Sequence, residues 1–314
     1  MSEVTALPLP ETPTVATTPR AHVPRTVGLV VHPSRSVDEP LRLLREWADE
    51  HGIEVAQAPA ACTQRRVAEE GDPARSDLIV SIGGDGTTLA ALRTGAVAGR
   101  PVLGIACGSL GALATVSVSD AKRSLERFTR GDWYPRRFPA LSVDRGAGTD
   151  LFALNDVTVL RSGAGQVRMI VRVNGVVYAR IAGDGAVVST PIGSSGYAIS
   201  ADGPLLASGL DAFVFTPLPK HGGFCPPLVV GSATELALEV TQDFGGGRLE
   251  IDGQVADERV QSLRIGLRPD VATMVAFPDQ ESLLAGLRRR GIILDSPRMV
   301  VDADREHERD ACPE

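Results

Sequence analysis

The chain has 314 residues, 43% of them hydrophobic, and a formal net charge of −7 at pH 7. That length suits about two domains of ordinary size, and the acidic balance excludes a basic nucleic-acid-binding body. No apolar run reaches membrane-spanning length, so a helical membrane protein is excluded as well.

Of the 32 basic residues, only Lys122 and Lys220 are lysines. The four cysteines, Cys62, Cys107, Cys225 and Cys312, show no paired short spacing. They read as free thiols of a reducing compartment, not as a zinc site or a disulfide frame, and the expected location is the cytoplasm.

Residues 1–24 are rich in Pro, Thr and Ala, without the basic start and apolar core of a signal peptide, and are expected to form a disordered tail. Thr26 to Val31 is an apolar strand. Ser36 and Glu39 have the spacing of a capping box ahead of a helix with Leu41, Leu44, Trp47 and Ala48 on one face and Gly52 closing it. Ile53 to Ala58 is a second strand, Thr63 to Glu70 a short helix, and Asp77 to Ile82 a third strand. The fourth, Pro101 to Ala106, ends in a loop holding Gly108 and Gly111, and Ser119 to Arg130 is a further helix. This alternation predicts a Rossmann-like parallel-sheet domain over residues 25–130, with ligands at the carboxyl ends of its strands.

After Trp133 short strands dominate: Ala140 to Asp144, Leu151 to Leu160, Val167 to Val173, Val176 to Ile181, Ala212 to Phe215, Glu235 to Thr241, Arg248 to Ile251 and Leu263 to Leu267. Turn signals at Asn174-Gly175, Gly245-Gly246-Gly247 and Asp252-Gly253 separate several of them. Residues 131–278 are therefore expected to form a β-sandwich domain. Glu281 to Arg290 reads as a helix returning, near 279–292, to the first domain, and residues 302–314 as a mobile tail. Trp47, Trp133 and Tyr134 are expected in the core or at the domain junction.

The chemistry concentrates in Gly83-Gly84-Asp85-Gly86-Thr87, between the third strand and the helical Thr88 to Arg93. Glycines let backbone N–H groups close on phosphate oxygens, and the helix adds its positive end. A carboxylate beside phosphates is repelled unless it binds a metal or takes a proton from a nucleophile, so Asp85 points to phosphoryl transfer. The plainer alternative is an ordinary Gly-Asp-Gly turn. A second polar stretch runs from Gly183-Asp184-Gly185 through Ser189-Thr190-Pro191-Ile192-Gly193-Ser194-Ser195-Gly196-Tyr197 to Ser200 and Pro204. Asn155-Asp156 interrupts an apolar run, and Asp252-Gly253-Gln254 follows a late strand.

These four segments, in this order, resemble the NAD kinase family, and the likeness spans residues from about 26 to 290. The resemblance implies an NAD kinase/diacylglycerol kinase-like fold, ATP with Mg²⁺, and NAD as the acceptor, phosphorylated at the adenosine 2′-hydroxyl. Asp85 would be the general base, and Gly83, Gly84 and Gly86 would supply N–H groups to phosphates, with Thr87 at the helix start. Asn155 and Asp156 would hold the adenosine half, with Asp156 standing where the family has glutamate. Asp184 would bind the far end of the dinucleotide, and Ser195, Gly196, Tyr197 and Ser200 would wrap the base. Arg168 and Gln254 carry over more weakly. A homodimer or homotetramer is implied too.

The sequence departs from the family pattern at Ala106 and Ala112, in place of an amide and an aromatic residue, and at Ile192 and Gly196. Three readings stay open: an NAD kinase, a kinase of this scaffold acting on another small-molecule alcohol (a sugar, cyclitol or nucleoside), and a non-catalytic nucleotide-binding paralogue. The Lys220-His221-Gly222-Gly223-Phe224 loop is either a surface turn or a cationic loop over an acidic substrate. His32 is expected as a hydrogen-bonded turn residue.

Overall fold

A computed structural model describes residues 20–59, 65–146, 151–163, 165–241 and 246–297. The expectations for residues 1–19 and 302–314, and for Cys62 and Cys312, lie outside these residues.

The first layer alternates as expected: β1 (Thr26–Val31), α1 (Asp38–His51), β2 (Glu54–Gln57), β3 (Leu78–Gly83), α2 (Asp85–Ala98), β4 (Val102–Ala106) and α3 (Ala121–Thr129). β2, β1, β3 and β4 are parallel neighbours in that order. β1 is buried except at its first residue, and β3 and β4 are buried throughout, because helices cover both faces of the sheet. Leu44 and Trp47 of α1 are fully buried, each worth about 1.5–3 kcal/mol or more of apolar burial. Trp133 stacks on Phe128 at 5.3 Å between ring centroids. Tyr134, by contrast, is 46% exposed and not a core residue.

Two local expectations fail. The Ser36–Glu39 capping box does not form. The helix begins one residue later, with Val37 as its N-cap and no side-chain cap bond, and Ser36 donates to Asp38 instead at 3.3 Å. Pro40 then occupies the first turn, where its missing N–H costs nothing. The Thr63–Glu70 helix is absent over residues 65–70; residues 60–64 lie outside the description. Buried Gln57 accepts from Val67 N–H at 2.8 Å and donates to Arg65 C=O at 2.8 Å, holding the segment extended against β2.

The second half contains β5 (Tyr134–Asp144), β6 (Leu151–Ala153), β7 (Asp156–Arg161), β8 (Val167–Val173), β9 (Val176–Gly183), β10 (Gly185–Ser189), α4 (Tyr197–Ser200), β11 (Ala212–Pro217), β12 (Leu228–Gly231), β13 (Leu236–Thr241), β14 (Gly247–Ile251), β15 (Gln254–Val260), β16 (Ser262–Ala276) and α5 (Leu283–Arg289). A six-stranded sheet runs β12-β11-β10-β7-β14-β15. Its inner face packs on the antiparallel part of the other sheet through one cluster that includes Val157, Val159, Val188, Phe213, Phe215 and Leu249, giving the expected sandwich.

The sheets are less separate than the sequence suggested. β16 pairs with β5 and β13 and also, at Met274↔Val102, runs parallel to β4. One ten-stranded sheet therefore passes from the parallel layer into the sandwich. The expected strand Leu263 to Leu267 is only the first third of β16. Asp270, at φ 54°, and a register shift between Arg268 and Ala272 let the strand bend and continue. No helix among the described residues is long and apolar enough to cross a membrane.

Candidate active site

β3 delivers the glycine loop to the carboxyl edge of the parallel sheet. A Cβ on Gly83 would lie 2.3 Å from Thr87 Oγ1, so the close approach of strand end to helix start requires glycine there. Gly84 is the N-cap of α2, and Asp85 opens the helix. Thr87 is buried at this junction. The side chain of Gly84's neighbour is firmly held. Asp85 Oδ2 accepts from Ala112 N–H at 2.9 Å, and Oδ1 accepts from Leu113 N–H at 2.9 Å and Ala114 N–H at 3.0 Å. Arg290, just past α5, donates to Oδ2 at 3.3 Å. The loop wraps so closely that a Cβ on Gly111 would sit 1.9 Å from Asp85 Oδ1. Arg289 adds a 2.9 Å bond to Leu110 C=O, so the chain after β16 packs directly on this site.

Arg35 stands over the same loops. Its Nη1 is 3.6 Å from a Cβ built on Gly84 and 4.0 Å from one built on Gly108. Burial pushes the Cys107 thiol up, with the Arg35 charge opposing. His32 Nδ1 accepts from Ser34 and Arg35 N–H at 3.2 and 3.0 Å, which makes it the turn residue expected and aims Arg35 at the sheet edge.

The second polar group is built around Asp252, which the sequence marked as part of the Asp252-Gly253-Gln254 segment and as a turn residue but gave no role of its own. With φ at 49° it turns its carboxylate inward, where it accepts from the N–H groups of Leu154 (3.1 Å), Asn155 (2.7 Å) and Asp156 (3.3 Å) and pairs with Arg93 of α2. This breaks the expected strand Leu151 to Leu160 into β6 and β7, because the backbone donors of the interruption turn to a side chain instead of a ladder. Arg93 is 8% exposed, lies 5.0 Å over the Phe152 ring and donates to Phe152 C=O at 3.1 Å. The pair ties the helix that starts at Asp85 to the segment carrying Asn155 and Asp156.

Around that tie the serine-rich stretch folds tightly. Thr190 Oγ1 donates to Leu154 C=O at 2.6 Å, and a Cβ on Gly193 would lie 1.9 Å from Asn155 O. Asn155 Oδ1 is buried with no hydrogen-bond partner among the described residues, an acceptor of the sort a ligand satisfies. Burial, then the Asp252 charge, then that of Glu250, push the Asp156 carboxyl up to about 7. Tyr197 is 42% exposed. Its hydroxyl is pushed up by burial, then by the charges of Glu250, Asp184 and Asp156 in turn.

Asp184 pairs with Arg161 at 2.7 Å, and its N–H donates to Pro219 C=O, so the Lys220 loop borders it. His221 contacts Gln166 Oε1 at 2.8 Å. Ser195 and Ser200 donate to backbone carbonyls of Ile192 and Gly196 at 2.9 and 3.1 Å, and Gly196 is exposed. Gln254 sits opposite Ile251, two residues from Asp252. Arg168 lies on β8 of the other sheet, opposite Ala182 and Thr241. Ile192 borders a cavity together with Phe138, Pro191 and Ser208. It is 8% exposed and packs in a cluster with Phe138 and Leu154, and Ala106 is likewise buried at the end of β4. Of the four departures, Ala112 and Gly196 have accessible surface.

Sequence profiles of the ATP-NAD kinase N-terminal domain and C-terminal domain match residues 27–133 and 154–267. The NAD kinase of Nitratidesulfovibrio vulgaris (strain DP4) is 34% identical over 241 residues, covering 71% of this chain and 80% of the relative. That of Desulforamulus reducens is 30% identical over 240 residues, covering 73% and 83%. Among solved structures, an NAD kinase from Archaeoglobus fulgidus in complex with ATP has a TM-score of 0.64 at 26% identity, covering 81% of this chain and 94% of that one. A yeast NADH kinase complexed with NADH has the same fold, with a TM-score of 0.73 at 17% identity over 93% and 94%. Fold, loop and relatives define a phosphotransferase that acts on a hydroxyl group. The chain belongs to the NAD kinase family.

Proposed function

We propose that this protein transfers the terminal phosphoryl group of ATP to the adenosine 2′-hydroxyl of NAD, giving NADP, with Asp85 as general base. The observation that carries this reading is the Arg93–Asp252 tie. It couples the helix opened by Asp85 to the segment bearing Asn155 and Asp156, so that a phosphate loop and an acceptor site share one frame. In this reading residues 25–130, with 279–292 returning to them, hold the phosphates, and residues 131–278 hold the acceptor.

Gly83, Gly84 and Gly86 would present N–H groups to the donor. Asn155 Oδ1 and Asp156 would engage the adenosine ribose, and Asp184 the far end of the dinucleotide. Tyr197, Gly196, Ser195 and Ser200 would enclose the base, with Gln254 and Arg168 at its margins. The base must be freed to act. Both Asp85 oxygens are engaged, but the Arg290 bond at 3.3 Å is the longest of the four, and its departure opens a lone pair on Oδ2 for the accepting hydroxyl. Positioning the hydroxyl in line with the phosphoryl group does most of the remaining work.

A Mg²⁺ ion would arrive on ATP, held by its phosphates and by water, since the loop's one carboxylate, Asp85, already accepts from three N–H groups and keeps its remaining site for the hydroxyl. Bound there, the ion neutralises charge on the transferring phosphates. The three-residue grouping with metal-ligand spacing found among the described residues is elsewhere, at Glu50, His51 and Glu126 between α1 and α3.

Purified protein with ATP and Mg²⁺ is expected to release ADP only when NAD is present, with NADP identified by mass. A second reading, phosphorylation of a different alcohol, is favoured by Ala112 and Gly196, which thin the accessible wall of the site. ATP turnover with a sugar, cyclitol or nucleoside but not with NAD would select it. Binding of NAD with no ADP release under any acceptor would mark a nucleotide-binding paralogue. Light scattering of the same sample tests the homodimer or homotetramer that the family resemblance implies.

A further inference from the structure

We infer that Arg35 and Arg290 form a two-guanidinium clamp for the polyphosphate of the donor nucleotide, with Arg290 moving from Asp85 to the phosphates as they bind. The inference deepens the kinase reading and rests on it for the identity of the reaction, but not for the anion itself.

Three observations converge. Arg35 Nη1 lies 3.6 and 4.0 Å from the positions that side chains of Gly84 and Gly108 would occupy, so the bare backbones of two loops and one guanidinium line the same space. Among the described residues no carboxylate lies within ion-pair distance of Arg35, and no hydrogen bond of its guanidinium holds it to the fold. Arg290 reaches the loop from the opposite end of the chain, and its contact with Asp85 is at 3.3 Å to an oxygen already served by Ala112 N–H. A carboxylate with three backbone donors gives up a fourth, distant one cheaply. A phosphate oxygen, with more negative charge and no internal donors, takes it. Among the described residues the site therefore holds one guanidinium with no partner and one, pivoted by Nε on Gly286 C=O at 3.2 Å, whose hold on Asp85 is long, both at the mouth of a helix-opening glycine loop.

The clamp has a mechanistic consequence. Transfer of Arg290 to the donor exposes Oδ2 of Asp85 only after the donor is in place, so base release is coupled to donor binding. Arg35, from the β1–α1 connection, belongs to the parallel-sheet side of the site. The Asn155–Asp156 segment on the other side holds the acceptor, so the two arginines serve ATP and not the dinucleotide.

The test compares Arg35→Ala, Arg35→Lys and Arg290→Ala with the unaltered protein, with melting temperatures confirming that each is folded. For Arg35→Ala the KM for ATP is expected to rise about 10- to 100-fold, the usual worth of a charged hydrogen bond, with the KM for NAD changed by less than about twofold. Arg35→Lys recovers part of the loss. Arg290→Ala raises the KM for ATP and lowers kcat.

Calorimetric titration with inorganic tripolyphosphate needs no acceptor and is expected to show the same weakening in both alanine variants. If the unaltered protein binds tripolyphosphate, the variants do not, and NAD is nevertheless not phosphorylated, the clamp stands and the acceptor assignment falls. Equal tripolyphosphate affinity in all forms, no binding by the unaltered protein, a rise in the KM for NAD in place of ATP, or faster turnover by Arg290→Ala would each overturn the clamp.

Discussion

At the scale of single residues the site is a set of carboxylates with different duties. Asp85 is wrapped by a loop that tolerates only glycine at position 111. Gly111→Ala is expected to push Asp85 off its three N–H donors and lower turnover by roughly 10²-fold or more, as misplacement of a catalytic group does, while the melting temperature falls by only a few degrees. Wild-type turnover in that variant would show that the loop does not position the base.

Asp156 behaves differently. Its folded carboxyl is raised to about 7 from an ordinary value of 3.8, with burial the leading cause. The folded state therefore binds a proton that the unfolded chain has already lost between about pH 4 and 7. Stability falls as pH rises through that window, by up to ~4 kcal/mol on the scale of 1.36 kcal/mol per pKa unit. Asp156→Asn is expected to match the unaltered protein near pH 4.5 and to be clearly more stable at pH 8.5, measured by urea denaturation. A constant difference across that range would contradict the assignment.

Asp85 was legible in the sequence because glycines, acid and strand are contiguous. Asp252 was marked only as part of the Asp252-Gly253-Gln254 segment, and the roles of Arg93, Arg35 and Arg290 were not legible. Their partners are 159, 98 and 205 residues away in the cases of Arg93–Asp252, Asp252–Leu154 and Arg290–Asp85, and only folding reveals such pairings. The one local sign was Asp252 before Gly253, which fits a turn equally well.

At the scale of elements, the decisive contact is between α2 and the turn joining β14 to β15. The Arg93 and Asp252 side chains are 10% and 3% exposed, so removing one leaves a buried charge unpaired. Arg93→Met is expected to cost about 3–5 kcal/mol. Adding Asp252→Asn to that background recovers part of the loss, since the amide oxygen still accepts from the Asn155 and Asp156 N–H groups while the stranded charge is gone. No recovery in a urea titration would mean that the pair is not the source of the loss. Periodicity located the strands well where one face is buried, as in β8, whose observed bounds equal the expected ones. It failed where side chains reorganise the backbone: Gln57 straightens a segment that looked helical, and Asp252 splits a strand that looked continuous. It also stopped β16 short at Leu267, where the strand bends through Asp270 and continues to Ala276.

At the scale of the molecule, the sandwich and the parallel layer share a sheet through β16, and α5 brings Arg289 and Arg290 back to the glycine loop. The two halves are thus expected to unfold together, with tryptophan fluorescence, which reports Trp47 and Trp133, and far-ultraviolet circular dichroism giving coincident urea transitions. Two separated transitions would contradict a shared sheet. The same continuity fixes the Gly83–Thr87 loop relative to the Asn155–Asp156 segment, and the proposed reaction turns on what Asp85 does in that frame. The most direct measurement is the steady-state turnover of Asp85→Asn with ATP, Mg²⁺ and NAD, taken with its melting temperature and its affinity for ATP. A loss of roughly 10²–10⁴-fold in kcat is expected, the worth of a positioned base, with fold and donor binding retained. Full activity in that variant would show that the carboxylate only anchors the loop and that the proton leaves by another route.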